Sequence, residues 1–222
     1  MKQFISSIKN EKRNGIETFA ELGKRTICIT LAVCVSGCGA SLMIKAQLGM
    51  NAYDALTVSF SELYRLPIGT VSIILNSVFF LMQVGLLGRK IEISRFLQLP
   101  IIVVLGSTIN YMTYNVLQNL TSVHYVFRLF LFLCGLLLCA VACSILMKYH
   151  VAFPPESFCQ VLSQISRLRF SWLRQGLDVI CLLLILVLAY VFSTSINIRE
   201  GTILSMLLFG PCIDMIMHKF RW

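Results

Sequence analysis

Acidic residues are scarce in this chain. Ten Asp and Glu occur among 222 residues, and charged residues make up 13% of the total, about half of the roughly 25% found in a typical soluble domain. So few charges cannot cover a soluble surface, whereas 57% of the residues are hydrophobic. The composition excludes a soluble enzyme, a soluble DNA-binding protein and a fibrous protein, and it predicts an integral membrane protein.

Enzyme motifs are also missing from the sequence. It contains no Walker loop, HExxH, GxSxG or dinucleotide-binding fingerprint, and no pattern predicts a nucleophile with its base. We therefore expect no enzymatic activity and no cofactor. The net charge of +9 does not indicate nucleic-acid binding, because the basic residues flank the hydrophobic runs instead of forming one patch.

The nine cysteines lie almost entirely inside apolar runs, where they are expected as small buried hydrophobes. Cys34 and Cys38 share one helix face, as do Cys139 and Cys143, and two such pairs could build a soft-metal site. Without a CxxC motif or a nearby histidine, packing is favoured and no metal site is predicted. The string VSGC at 35–38 resembles a lipoprotein cleavage box, but cleavage there would remove half of the first apolar run.

Six apolar runs are long enough to cross about 30 Å of hydrocarbon as helices. They lie at about residues 26–44, 69–87, 96–115, 125–147, 177–194 and 201–217. Cytoplasmic loops carry an excess of Lys and Arg, and with the N-terminus inside, 15 of the 19 basic residues fall on the inner side. The sequence therefore predicts cytoplasmic termini and a basic cytoplasmic segment at residues 1–25.

The chain repeats itself at an offset of 102 to 104 residues. SLMIK at 41–45 matches SILMK at 144–148, and LGSTIN at 105–110 matches FGPCID at 209–214. A unit with three crossings leaves the membrane on the side opposite to its entry, so its second copy must be inverted. The predicted fold is an all-α 3+3 inverted repeat, which is typical of secondary transporters.

The first three-helix repeat covers residues 26–115 and the second covers 124–218. Each contains one long connection with an amphipathic pattern, at 46–68 and at 149–176. Backbone at membrane depth outside a spanning helix requires cover from protein or a water-filled cavity. Each connection is therefore predicted to contain a short re-entrant helix or, alternatively, an interfacial helix lying on the surface.

Three stretches carry a resemblance to a known family: GMNAYDAL at 49–56, LPIGT at 66–70 and LLFGPCIDM at 207–215. Over about residues 25–218 the chain resembles the YitT/YczE/YyaS family of bacterial integral membrane proteins. It departs from the family pattern at 51–52, where a small residue and a proline are common. The resemblance implies a multi-pass protein of the bacterial inner membrane and adds little about substrate, because the family is largely uncharacterised.

Six polar residues are candidates for a substrate or ion pathway, because polar groups inside a membrane are costly unless they face protein or water. They are Asp54, Asn76, Asn110, Glu156, Asp178 and Asp214. Three of them have simpler explanations for their positions. Asp54 and Glu156 each suit the first turn of an amphipathic helix. Asp178 is four residues after Arg174, which suits a local ion pair.

Asp214 is the strongest candidate, because it lies near the inner end of a short span. We expect it to be buried close to Asn110 and to carry any proton or cation coupling; the alternative is pairing at the interface with a basic residue near the C-terminus. Gly106 and Gly210, each one turn earlier, are expected to leave room for a cavity. Pro211 is expected to loosen the last helix.

Small residues four apart predict where the two halves meet. Gly37 with Ser41, and Ala140 with Ser144, form small-xxx-small pairs that let helices approach closely. We expect the first and fourth spans to cross there, at the pseudo-symmetry axis.

The predicted function is transport of a small solute or ion by alternating access between the halves. The alternative is a non-transporting accessory or regulatory protein that acts through a partner complex, and the small size is compatible with a homo-oligomer or a membrane partner. A polar cavity at mid-membrane, lined by both halves, favours the transporter. A filled centre favours the accessory protein.

Reporter fusions test the predicted topology. Fusions in the loops near residues 120 and 197 should report a periplasmic location, and a fusion after Trp222 should report a cytoplasmic one, because the basic residues are retained inside. A periplasmic signal from the C-terminal fusion would contradict the count of six spans.

Overall fold

The computed structural model describes residues 19–88, 93–120, 124–149, 151–192, 195 and 197–219, without the side chains of 19–22, 93–94, 214 and 218. Most of the basic N-terminal segment predicted at 1–25 is outside these residues. The described chain has no strand and consists of eight α-helices: α1 Phe19–Ala46, α2 Ala52–Tyr64, α3 Ile68–Leu87, α4 Gln98–Tyr111, α5 Tyr125–Lys148, α6 Pro154–Ser166, α7 Phe170–Phe192 and α8 Glu200–Lys219. A 3-10 turn, Ile93–Leu97, precedes α4, and a π-helical turn, Met112–Val116, extends it.

All six predicted spans are confirmed as helices long and apolar enough to cross a membrane. They cover residues 23–46, 68–87, 95–116, 125–148, 170–192 and 200–217. The fifth begins at Phe170, seven residues before its predicted start. Arg174 interrupted the apolar run there, yet the helix includes it because it pairs with Asp178 at 2.6 Å.

The distribution of polarity is that of an integral membrane protein. Large apolar side chains cover the outside, as shown by Leu81 at 65% and Tyr190 at 90% exposure, whereas Asn76 and Gln83 are each 1% exposed. An apolar surface of this extent is stable where lipid surrounds it. Polar groups are concentrated between the helices, where they find protein partners.

The most extensive helix contact is the crossing of α1 and α5. A Cβ atom on Gly39 would lie 2.7 Å from the carbonyl oxygen of Gly135, and one on Gly135 would lie 2.6 Å from that of Gly39. Such a contact between two backbones tolerates no side chain at either position. The two glycines therefore fix where α1 and α5 meet.

The predicted crossing of the first and fourth spans is present, but in α1 it is formed by Gly39 and not by the predicted pair Gly37 and Ser41. A Cβ on Gly37 would meet Thr108 of α4 at 2.8 Å, and Ser41 accepts a hydrogen bond from Thr113 at 3.2 Å, so this pair faces α4. Each residue of a helix is rotated by about 100° from the previous one. Gly39 therefore lies on nearly the opposite face from Gly37.

The matching pair in α5 is also buried. The Ser144 hydroxyl donates to the carbonyl oxygen of Ala140 at 2.7 Å, within the helix, and both residues are 0% exposed. The small side chains of this pair suit the dense surroundings of α5.

Arginines join α1 and α5 at both ends of the antiparallel pair. Arg128 of α5 donates to the carbonyl oxygen of Ala46 at 2.7 Å and to that of Gln47. At the other end, Arg25 of α1 donates to the carbonyl oxygen of Tyr149 at 3.0 Å. The last carbonyl groups of a helix have no hydrogen-bond donor within that helix. Each of the two helices therefore supplies an arginine that donates to the last carbonyl groups of the other.

The two amphipathic segments form similar helices, α2 and α6, of 13 residues each. Each ends at an arginine in the left-handed conformation, Arg65 with φ 55° and Arg167 with φ 60°. In each, a serine hydroxyl near the end donates to the carbonyl oxygen five residues further on, at 2.6 Å. Both helices pack against α3 and α7.

A buried polar network holds the first turn of α6 in place. The Ser157 hydroxyl donates to Gln83 of α3 at 2.8 Å and accepts from Gln98 of α4 at 2.9 Å. Gln83 also donates to the carbonyl oxygen of Pro154 at 2.9 Å. These bonds satisfy groups that would otherwise be costly to bury and fix α6 against α3 and α4.

Replacing Gly39 tests the crossing of α1 and α5. Gly39→Ala should lower stability in detergent by about 1–3 kcal/mol, because the new methyl group overlaps the backbone of α5. Gly85→Ala is the matched control: its Cβ would meet no atom within 4 Å, and replacing an exposed helical glycine should be neutral or stabilising. Thermal unfolding of the two purified variants measures the difference. Equal melting temperatures would contradict the contact.

Candidate functional site

A cavity of about 70 Å³ lies between the helices, and residues from all eight helices line it. Ser36, Asn76 and Cys139 are among the lining residues, and each lies near the middle of its span. A volume of this size holds a few water molecules or a small ion. The cavity is therefore at mid-depth of the helices that cross the membrane.

The first turns of α2 and α6 both reach the cavity. Asn51 and Phe153 precede the two helices, Asp54 and Glu156 lie in their first turns, and all four residues line the cavity. A helix N-terminus carries a partial positive charge of about half an elementary charge. Two such termini and two acids thus meet at one place. The acids do stand in first turns, although neither helix has a side-chain capping hydrogen bond at its N-cap residue.

Arg174 of α7 forms two ion pairs, one with Asp178 in the same helix and one with Glu156 of α6. Its guanidinium lies 2.6 Å from Asp178 and 3.5 Å from Glu156, and the three side chains are between 12% and 17% exposed. The local pair predicted for Arg174 and Asp178 is confirmed. One guanidinium between two carboxylates leaves a net charge of −1, so Arg174 balances only part of the negative charge near the cavity.

Asp54 has a different environment. Asn51 donates to its carboxylate at 3.3 Å, and within the described chain no ion pair involves Asp54. Asp54 therefore differs from Glu156, which has the guanidinium of Arg174 as its counter-charge.

Asn76 lies on the same cavity wall as Ser72, one turn away on α3. Its amide nitrogen donates to the carbonyl oxygen of Ser72 at 2.8 Å and to the hydroxyl of Ser72 at 3.2 Å. These bonds use the amide hydrogens and orient the side chain. Among the described residues, none donates to the carbonyl oxygen of the Asn76 side chain.

Asn110 joins α4 to α3 and does not line the cavity. It accepts a hydrogen bond from the backbone of Gly69 at 2.7 Å and donates to Thr70 at 3.2 Å. A Cβ on Gly69 would lie 1.9 Å from the carbonyl oxygen of Gly106. The expectation that Gly106 leaves room for a cavity was wrong, because α3 occupies the space.

The side chain of Asp214 lies outside the described residues. Its predicted burial and its predicted proximity to Asn110 therefore stay predictions.

The last helix continues through the glycine and proline that precede Asp214. α8 runs through Pro211 to Lys219, and a Cβ on Gly210 would meet no atom within 4 Å among the described residues. Gly210 thus lies beside open space, in contrast to Gly106. The loosening expected at Pro211 stays a prediction.

Two important cavity residues were missed by the sequence reasoning. Arg174 was assigned to a cytoplasmic loop and considered only as a local partner of Asp178, and Tyr53 was not singled out. The repeat carried a signal for Arg174, because the offset of 102 residues aligns it with Ser72 beside Asn76. Tyr53 precedes Asp54, but nothing in its pattern distinguishes a lining tyrosine from a packing one.

Two of the cysteines considered for a metal site, Cys139 and Cys143, line the cavity. Among the residues with described positions, no three His, Cys, Asp or Glu side chains are grouped so that they could hold a metal ion. The soft-metal alternative thus gains no support from the geometry.

Replacing Arg174 tests the ion pairs. Arg174→Gln should destabilise the protein by about 3–5 kcal/mol, because two buried carboxylates lose their cation. Adding Glu156→Gln and Asp178→Asn should restore most of the stability, since the buried charges are then removed together. Arg169→Gln, at an exposed position just before α7, is the control. Thermal unfolding in detergent distinguishes these outcomes, and a stable Arg174→Gln protein would contradict the assignment.

Comparison with known proteins places the chain in one family. No curated protein matches this chain, and no solved structure does. A family model, described as a family of unknown function (DUF6198), matches residues 23–218, which include all six spans and the cavity. The protein therefore belongs to the DUF6198 family.

Proposed function

We propose that this protein transports a small solute or ion across the bacterial inner membrane by alternating access between two inverted halves. The observation that carries the proposal is the polar cavity at mid-depth, lined by helices of both halves. Ionisable groups at this depth are costly and mark pathways in membrane proteins. An accessory protein, which acts through its outer surface, gains nothing from a charged cavity at its centre.

The inverted repeat is supported by contacts that recur at nearly constant offset. Arg25 and Arg128 are 103 residues apart, and so are the helix ends that they cap. The left-handed Arg65 and Arg167 that end α2 and α6 are 102 residues apart. Random similarity between apolar helices does not reproduce polar contacts in this order. The two halves are thus copies of one unit, the second inverted relative to the first.

The inverted relation between the two halves also supports re-entrant positions for α2 and α6. Helix α2 follows α1, and helix α6 follows α5. Because α1 and α5 are antiparallel, α2 and α6 start from opposite ends of that pair. Their first turns nevertheless line one cavity. Helices lying flat on opposite surfaces would keep these turns apart. We therefore assign both as half-helices that enter the membrane and return, with their N-termini at the substrate site.

Polar contacts lie beyond both ends of the cavity and are suited to gates. Towards one end, Asn197 donates to Ser59 and Glu62 of α2, each at 3.2 Å. Towards the other, Ser157 binds Gln83 and Gln98. Hydrogen bonds of this kind contribute about 1 kcal/mol each, so a rearrangement of one set at a time is energetically accessible. The described conformation resembles an occluded state between the two openings.

Cysteine accessibility tests alternating access. A protein that retains only Cys143, which lines the cavity, should react in membranes with a small charged methanethiosulfonate added from either side, because each opening exposes it in turn. The matched control retains only Cys181, which is also buried but does not line the cavity, and should not react. Right-side-out and inverted vesicles provide the two sides.

The outcomes separate the two candidate functions. Reaction of Cys143 from both sides supports a transporter. Absence of reaction from both sides, while a cysteine in an exposed loop reacts normally, would reject alternating access and favour the accessory protein. Reaction from one side alone would mean a static pocket and would also reject transport.

A further inference from the structure

The two halves of the cavity carry different charges at equivalent positions. At the offset of 102 residues, Asp54 corresponds to Glu156, and Ser72 corresponds to Arg174. The local geometry is shared: Asn76 bonds to Ser72 at i, i+4 in α3, as Asp178 pairs with Arg174 in α7. One half therefore has an acid facing a guanidinium, and the other has an acid in the same place beside a serine hydroxyl.

This difference leaves the carboxylate of Asp54 without a counter-charge of its own. Glu156 lies 3.5 Å from Arg174, whereas the hydrogen-bond partner of Asp54 within the described chain is the neutral amide of Asn51. A buried carboxylate normally acquires a cation, a proton or several hydrogen bonds. The first half thus retains the anion of the repeat and lacks its cation.

Tyr53 provides an independent sign of a ligand at this position. It is 8% exposed and lines the cavity, and its hydroxyl is a buried polar atom with no hydrogen-bond partner among the described residues. Buried hydroxyl groups are nearly always bonded, and each exception calls for a cause. A phenolic oxygen beside Asp54 is an additional ligand for a cation.

The charge of the site limits the ligand to one positive charge. Asp54 contributes −1, and the group of Arg174, Glu156 and Asp178 contributes another −1. The N-termini of α2 and α6 offset these by about half a charge each. The remainder is about −1, and Asp54 is the one carboxylate not shared with Arg174. A divalent ion usually requires several carboxylates, so a monovalent ion fits better.

We propose that Asp54, with the oxygens of Tyr53, Ser72 and Asn76, binds a small monovalent cation at the place where the guanidinium of Arg174 lies in the second half. This inference rests on the proposed transport function and deepens it, since the cation is then the substrate or the coupling ion. An alkali ion and a small guanidinium or ammonium ion share the required charge and size. The experiment distinguishes an alkali ion from a small organic cation.

Protons compete with the cation for the same carboxylate. The titratable and charged groups that face Asp54 are Tyr53 on its own helix, Glu156 on α6, Arg174, Asp178 and Cys181 on α7, and Cys139 and Cys143 on α5; α3 and the described side chains of α8 contribute only uncharged residues to the lining. Cation affinity should be constant where the Asp54 carboxyl is ionised and should fall as the pH drops and the carboxylate takes up a proton.

Binding is measured in detergent, independently of transport. Purified protein is titrated with the chlorides of Na⁺, K⁺, methylammonium and guanidinium against choline as the large control cation, and the melting temperature is followed. A ligand that binds the native state raises the melting temperature in a saturable way. One of the small cations should do so at pH 7.5, with about tenfold weaker apparent affinity one pH unit below the pKa of Asp54.

Two variants and one control make the assignment specific. Asp54→Asn should abolish the cation-dependent rise, whereas Glu200→Gln, at an exposed acid in the first turn of α8, should retain it. Tyr53→Phe should weaken cation affinity by about tenfold while leaving the melting temperature in choline unchanged or higher, because it removes an unpartnered hydroxyl. A purely structural role of Tyr53 would lower the melting temperature in all salts alike.

The result that overturns the proposal is equal stability in all five cations, or a cation effect that survives in Asp54→Asn. A pH-dependent change without any cation effect would also reject it and would assign Asp54 to protons alone. Cation binding in a protein whose Cys143 is never exposed would preserve the cation site and reject transport. Exposure of Cys143 from both sides without cation binding would support transport and reject the cation site.

Discussion

The backbones of α1 and α5 touch at Gly39 and Gly135, and the positions of the other helices depend on that contact. It sets how far the two helices overlap, so that an arginine of each reaches the last carbonyl groups of the other. It also determines where the chain leaves each helix to begin α2 and α6. A shift by one turn, about 5.4 Å, would separate the first turns of these short helices. The cavity therefore depends on the depth at which the backbones of α1 and α5 meet, because that depth brings the first turns of α2 and α6 together.

Much of the fold could be predicted because its signals are long and redundant. An apolar run of about 20 residues has one common solution in a membrane, and six such runs leave little freedom. The amphipathic segments were also recognisable from their pattern. The start of α7 was not, since Arg174 looks like a loop residue until its pairing with Asp178 is known. Likewise, several small residues of α1 suit a close contact, and periodicity alone does not decide which face meets which neighbour.

The candidate site was predicted only in part, for a geometric reason. Asp54, Asn76 and Glu156 line the cavity as members of the predicted set, whereas Asn110 bonds to α3 outside it. In an inverted repeat, equivalent residues lie at mirrored depths, so they approach each other only near the midplane. Matching residues near the end of a span are therefore far apart. Equivalence in sequence identifies shared local structure, not proximity.

The reciprocal capping of α1 and α5 has a consequence for the origin of such a chain. The surface that Arg25 presents to α5 is the same kind of surface that Arg128 presents to α1, which makes the contact isologous. If both halves descend from one ancestral polypeptide, that polypeptide carried a complete, self-complementary interface. Two separate copies inserted in opposite directions would then have joined as an antiparallel homodimer before gene fusion made them one chain. Under that condition, fusion would have allowed one copy to acquire an arginine where the other keeps Ser72.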